Sequence, residues 1–285
     1  MHGSIVAFVT PFNDSDEIDY KEVDRLVDFH LKNKTNGLLL LGTTSESETL
    51  SDSEKVELVS HISSYVAGKI DLMVGIISNV TDEVVRLAGL FKGIDFKYYL
   101  VINPYYNKTN VSGMLKHFSY IADHVDRPIV LYNVPKRTGM NIDFEVVRFL
   151  SYHKNIIGIK DASGDIIYHL RLLNLQTDNF FVYCGDDSLM FVSRLLGSKG
   201  NINVIGNAFP LEVSLITCGA EDIAKMTFYK LFNLMSVMYN EVSPIGIKYI
   251  MFLIGFETLN CRMPLDVASK EFKRILEEKV LEIVE

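Results

Sequence analysis

The sequence predicts a (β/α)8 barrel of the TIM type carrying a C-terminal helical appendage. Eight short apolar runs recur between Ser4 and Ile205, roughly 20 to 35 residues apart. Stretches with helical signals fill the intervals, the alternation that builds parallel strands joined by crossover helices. The 285 residues also suit a barrel, which needs about 250. A doubly wound open sheet shares this periodicity, but the first run is followed by no GxGxxG turn of the phosphate-binding kind.

The runs fall at residues 4–9, 38–41, 72–77, 98–102, 129–132, 156–160, 181–184 and 201–205. Each is short and almost free of charge, as expected of strands buried on both faces. Asp19 opens an acidic first turn ahead of Val23, Leu26, Val27 and His30 at amphipathic spacing. Ser51-Asp52-Ser53-Glu54 has the form of a capping box, and Thr81-Asp82-Glu83 and Asp143 read as further helix starts. After the eighth run the signals are helical almost throughout, punctuated by Pro210, Pro244 and Pro264. The division expected is a barrel over residues 1–209, which holds the active site, and a helical region over 210–285.

A net charge of −8 and a pI near 5.4 speak against a nucleic-acid partner. The 48% hydrophobic content supplies a sizeable core. Cys184, Cys218 and Cys261 show no metal-ligand spacing, and so sparse a set suggests reduced thiols in a cytoplasmic enzyme. The N-terminus lacks the basic region of a signal peptide, and no run approaches a membrane span, so a soluble protein is expected.

In a barrel the chemistry sits at the C-terminal ends of the strands. The sixth run ends in Lys160, a single cation closing an otherwise uncharged segment. A buried ammonium is costly unless paired or deprotonated, and a neutral amine is the nucleophile that forms a Schiff base with a carbonyl compound. The plainer reading is a strand-end lysine that snorkels to water. The second run ends in Gly42-Thr43-Thr44-Ser45-Glu46-Ser47, whose amides and hydroxyls suit a carboxylate, or form an ordinary βα loop. Tyr132 closes the fifth run as a proton carrier or a half-buried tyrosine with a satisfied hydroxyl. Arg137 suits bidentate carboxylate binding, or is a surface charge. Tyr105 and Tyr106 after Pro104 read as packing or interface aromatics, and Asp186 and Asp187 as helix caps. His153 and His169 read as surface or packing residues. Neither a metal cluster nor a Ser–His–acid set stands out.

Taken together, Gly42-Thr43-Thr44 with Glu46, Pro104-Tyr105-Tyr106-Asn107, Tyr132-Asn133-Val134-Pro135 and Gly158-Ile159-Lys160 resemble the pyruvate-dependent class I aldolase and synthase family, which includes the dihydrodipicolinate synthases and the N-acetylneuraminate lyases. The resemblance runs over nearly the whole chain. Arg137-Thr138-Gly139 and the Thr-Thr pair match the synthase branch. It implies that Lys160 forms the Schiff base with pyruvate and that Tyr132 donates and accepts protons. Thr44 and its neighbouring amides bind the pyruvate carboxylate, with Ile202 lining the site through its main chain. Thr43 and Tyr106 complete a proton relay, Tyr106 arriving from a neighbouring subunit of a homotetramer built as a dimer of dimers. Arg137 takes the carboxylate of aspartate semialdehyde. No metal or organic cofactor is implied, because the imine is the electron sink.

The implied activity is condensation of pyruvate with L-aspartate 4-semialdehyde in lysine and diaminopimelate biosynthesis. The alternative is an N-acetylneuraminate or keto-sugar-acid lyase using the same lysine, and a reading of another class is a binding protein that has lost catalysis. Two departures stand out. Ser45 replaces the family's usual glycine, and a positive φ there would add about 1–2 kcal/mol of strain. Asn79, Glu83 and Tyr105 match the site at which many members bind inhibitory lysine. However, Glu48, Asp52 and Lys55 replace a small residue and two histidines, and Lys55 would repel a lysine ammonium. Weak or absent lysine inhibition is expected.

Overall fold

The computed structural model describes residues 1–284 and closes eight parallel strands into a barrel. In chain order the elements are β1 (Gly3–Ala7), α1 (Tyr20–Lys32), β2 (Gly37–Leu40), α2 (Asp52–Val66), β3 (Asp71–Ile76), α3 (Thr81–Leu90) and β4 (Tyr98–Ile102). There follow α4 (Val111–His124), β5 (Ile129–Asn133), α5 (Pro135–Thr138), α6 (Phe144–Leu150), β6 (Ile156–Asp161), α7 (Ile166–Leu173) and β7 (Phe181–Cys184). The last are α8 (Met190–Leu195), β8 (Gly200–Asn203), α9 (Pro210–Cys218), α10 (Glu221–Val237), α11 (Ile245–Leu253) and α12 (Lys270–Val284). Closure is explicit: β1 pairs with β8 from Gly3–Gly200 to Val6–Asn203, which rules out the open sheet.

Strand alternation sorts the side chains into two cores. Ile5, Ala7, Leu39, Met73, Val130 and Ile202 point inward and pack the barrel interior. Their neighbours Val6, Leu38, Leu40, Val74 and Leu131 point outward and meet the helices. The continuous apolar runs of the sequence follow from burial on both faces. On β6 the same alternation sends Ile159 outward and Lys160 inward. Helix α9 packs along β1, and α10 to α12 pack on one another beyond it. No helix among the described residues is long and apolar enough to cross a membrane.

Turn and cap chemistry fixes the helix starts. Asp19 accepts from the Glu22 amide at 3.0 Å, Ser51 and Glu54 form the reciprocal capping box, and Asp143 accepts from the Glu145 amide at 2.8 Å. Thr81 departs from expectation: Val80 occupies the cap position, and the Thr81 hydroxyl instead pairs with His117 Nδ1 at 2.9 Å.

Two histidines are held neutral by burial. His30, packed among aromatic rings behind β1, is pushed down to about 3, and His117 to about 4, each by desolvation. Unfolding at acid pH lets both take up a proton. Their contribution is therefore present above about pH 6.5 and lost as pH falls through the interval toward their folded values. Asp187, buried and raised to about 6, opposes this more weakly by binding its own proton in the folded state. The unfolding free energy should fall from pH 7 to pH 5, and His30→Met should flatten that slope by up to about 1.4 kcal/mol per pH unit in denaturant titrations. An unchanged slope in the variant would remove His30 from the account.

Candidate active site

The C-terminal ends of the strands surround a cavity of about 390 Å³. Thr43, Thr44, Tyr132, Arg137 and Lys160 all line it, so the structure gathers five of the expected site residues at one mouth. A larger hollow of about 920 Å³ is an open groove along α2, and none of these five residues lines it.

Lys160 is 5% exposed and forms no ion pair among the described residues. Tyr132 on β5 and Tyr183 on β7 are its register partners, so all three point into one layer of the barrel. The Lys160 ammonium nitrogen lies 4.5 Å from the centre of the Tyr132 ring. Room for the lysine stem comes from Gly185 after β7. A Cβ there would come within 2.8 Å of Lys160 Cε and 2.9 Å of Ala162 Cβ. Nothing in the sequence marks that glycine beyond its place after a strand.

The loop after β2 begins with a 3-10 turn, Thr43–Ser45. Ser45 does not take the left-handed conformation that the missing glycine suggested; the left-handed residue is the next one, Glu46, at φ 54°. Ser45 is buried, donates from its hydroxyl to the Phe8 carbonyl at 2.5 Å, and its own carbonyl accepts from Thr10 Oγ1 at 2.8 Å. The serine thus ties the β2 loop to the end of β1, which a glycine side chain has no atoms to do.

Arg137 lies on the single turn α5 and donates from Nη2 to the Ser243 carbonyl at 3.0 Å. Ile202 sits on β8 with its side chain in the barrel interior. Tyr106 does not join the cavity. It is 91% exposed with φ 62° and lies outside the cavity lining.

Asp186 caps the turn after β7 by accepting from the Ser188 amide at 3.0 Å, as expected. Asp187 does not cap. It is buried and accepts from the amides of Val204 at 3.1 Å and Ile205 at 2.9 Å, and from the Tyr239 hydroxyl at 3.2 Å. Burial raises this carboxyl to about 6 against the lowering effect of those donors. Tyr239, whose ring lines the cavity, went unnoticed in the sequence because a tyrosine after a helix carries no distinguishing pattern.

A Ser–His–acid set does exist, contrary to expectation. His169 joins Asp161 at 3.2 Å to Ser193 at 2.8 Å and Ser198 at 3.0 Å. Asp161, His169 and Ser193 are all buried, and none lines the cavity. Asp161 also accepts from Asn133 Nδ2 at 2.9 Å, so the set braces β6 against β5 and α7. Among the described residues, no group of three or more His, Cys, Asp or Glu stands close enough to hold a metal ion.

Asn79 and Tyr105 meet between the β3 and β4 loops, and Glu83 lies on the first turn of α3. Asn79 Nδ2 donates to the Tyr105 carbonyl at 3.2 Å, and the Tyr105 hydroxyl donates to Glu48 at 3.4 Å. Glu83 is already engaged: Arg86 grips both its oxygens at 2.7 Å and donates to Asp52 at 2.8 Å. That bond to Arg86 holds the Glu83 carboxyl below its usual range.

The sequence model of the Dihydrodipicolinate synthetase family matches residues 1–283. A 4-hydroxy-tetrahydrodipicolinate synthase of Pseudomonas savastanoi pv. phaseolicola is 39% identical over 272 residues, 94% of this chain and 93% of the relative. The fold is similar to that of a chloride-inhibited dihydrodipicolinate synthase from Acinetobacter baumannii solved with pyruvate. The TM-score is 0.96 at 32% identity, covering 99% of each chain. A lysine-bound enzyme from Cyanidioschyzon merolae superposes with a TM-score of 0.94 at 29% identity, over 99% of this chain and 98% of that one.

Proposed function

The chain belongs to the dihydrodipicolinate synthetase family, and from that membership and the cavity we propose that it condenses pyruvate with L-aspartate 4-semialdehyde through a Schiff base on Lys160. Enzymes of this family work through a pyruvate Schiff base without a metal cofactor. The observation that carries the reading is Lys160 itself: a buried amine without a carboxylate partner, facing a cavity rimmed by hydroxyls and one guanidinium.

Each step has a group to serve it. The Lys160 amine attacks the ketone carbon of pyruvate, and loss of water from the carbinolamine leaves an iminium. Removal of a methyl proton gives the enamine, whose carbon attacks the aldehyde of the second substrate. The substrate's own amine then attacks the imine carbon and displaces Lys160, closing the ring of 4-hydroxy-tetrahydrodipicolinate. Tyr132 carries the protons, since a phenol can both donate and accept. Thr44 and the amides of its turn take the pyruvate carboxylate, with the Ile202 main chain beneath. Arg137 at the cavity mouth takes the carboxylate of the semialdehyde.

Thr43 and the partner subunit's Tyr106 complete the relay in this reading. Support comes from the exposed, left-handed Tyr106 and from a second hollow of about 260 Å³ that Thr43, Tyr105 and Arg137 line. A homotetramer is the assembly proposed, with exposed Ile167 and Leu195 suited to a further contact between copies. The sparse free cysteines suit a cytoplasmic location.

Borohydride trapping with pyruvate, followed by peptide mapping, tests the chemistry, and a reduced adduct on Lys160 is expected. Arg137→Ala should lower kcat/KM for aspartate semialdehyde by about 10²-fold, the scale of a lost charged hydrogen-bonding partner, while sparing the adduct. Cleavage of a keto-sugar acid that withstands Arg137→Ala, with no semialdehyde condensation, would favour the lyase instead.

Lysine inhibition is expected to be weak. The Glu83 carboxylate that would receive an amino group is bound by Arg86, and Lys55 adds a further positive charge nearby. Steady-state assays should show little loss of rate at millimolar lysine, and Arg86→Ala should increase sensitivity. Potent inhibition of the unmodified enzyme would refute this.

A further inference from the structure

The short stretch joining α10 to α11, with the first turns of α11, touches three of the loops that carry the site. The Tyr239 hydroxyl reaches Asp187, which also holds the amides that follow β8. The Ser243 carbonyl receives Arg137. Lys248 on α11, fully buried, meets Glu46 on the β2 loop with Nζ and Oε1 2.5 Å apart and both side chains 1% exposed.

That third contact has the geometry of a lock. Lys248 Nζ also donates to the Asn260 carbonyl at 2.7 Å and stands 4.5 Å from the centre of the Phe12 ring. The second oxygen of Glu46 accepts from the Arg262 amide at 2.9 Å. Glu46 is therefore held at both oxygens while its backbone keeps a left-handed φ of 54°. It closes the turn Thr43–Ser45, its amide donating to the Thr43 carbonyl at 3.1 Å. A buried ion pair adds little net stability compared with apolar side chains of the same volume, whereas its fixed geometry is unforgiving. A left-handed non-glycine backbone persists only where its surroundings over-determine it.

We propose that Glu46 and Lys248 are positioning residues of the active site, their buried pair fixing the Thr43-Thr44 turn against the barrel so that α11 is a working part of the site. The proposal rests on the reading of Thr43 and Thr44 as pyruvate-binding and relay groups. The pair touches no substrate; it acts through the turn that does. Loss of the pair lets the turn relax away from its left-handed end, and a displacement on the order of 1 Å can cost about 10²-fold in rate.

The test uses Glu46→Gln, Lys248→Met and the two combined in the full-length protein. Each is assayed well below its own melting temperature, for pyruvate half-saturation of the borohydride-trapped adduct and for condensation turnover. The single variants leave a buried charge without its partner and should melt earlier. The double variant removes both charges and should regain most of the melting temperature, yet keep a pyruvate half-saturation raised, or a turnover lowered, by about 10-fold or more. A double variant that matches the unmodified enzyme in both measurements overturns the proposal. One that fails to fold also overturns it, because the pair then serves the fold and not the site. Thr44→Val provides the separate control. If it leaves pyruvate half-saturation unchanged while the unmodified protein still forms the adduct, the reading of Thr44 fails, whatever the pair does.

Discussion

Lys160→Arg is expected to abolish the pyruvate adduct and to lower condensation turnover by at least about 10³-fold, the usual scale for loss of a covalent nucleophile. Arginine keeps the charge and most of the stem length but has no nucleophilic amine at working pH. Lys160 is buried between β5 and β7 with no ion-pair partner among the described residues, so its replacement breaks no salt bridge that holds the fold. The guanidinium is bulkier, however, and the stem already fills space that is open only because residue 185 lacks a Cβ. Lys160→Met, which fits the apolar part of the same space, should be equally inactive while melting close to the unmodified protein. Intact-mass analysis after borohydride treatment and a coupled turnover assay read both effects. An adduct on another lysine, with turnover retained in Lys160→Met, would sink the mechanism.

Tyr132→Phe is expected to lower turnover by about 10²–10⁴-fold, the range for removing a positioned general acid–base. The ring would stay, since it packs in the barrel interior and the Tyr132 carbonyl accepts from the Asn103 amide at 3.2 Å through the backbone alone. The hydroxyl is what changes. Every step from carbinolamine to release moves a proton near Lys160, whose nitrogen lies 4.5 Å from this ring. The adduct should still form, slowly, because water can replace the phenol at a cost in rate. Pre-steady-state trapping separates the two effects: the adduct should accumulate over a longer time to a similar final amount. Wild-type rates of both adduct formation and turnover would make Tyr132 a packing residue.

Much of this molecule is legible from local pattern. The eight strands lie within a residue or two of the apolar runs, because each run is buried on both faces. Lys160 and Tyr132 were visible as polar residues closing such runs, and in parallel strands the ends of the runs share one rim. Cap chemistry at Asp19, Ser51 and Asp143 was visible for the same reason: each partner amide lies two or three residues away.

Other features had no local signature. Thr81 looked like a cap, but its hydroxyl is taken by His117 from the next helix. Ser45 looked like a source of strain, yet the left-handed position falls on Glu46, where a carboxylate bound from α11 and from Arg262 holds it. Asp187 read as a cap beside Asp186, and only the approach of the β8 loop and Tyr239 turns it into a buried junction. Burial periodicity and turn chemistry reach a few residues along the chain, so the sequence by itself determined the strand–helix alternation and which polar groups stand at strand ends. Barrel closure brings residues from opposite ends of the chain within hydrogen-bond distance, so only the tertiary structure decided which charges pair, which carboxylates are buried and where the backbone is held left-handed.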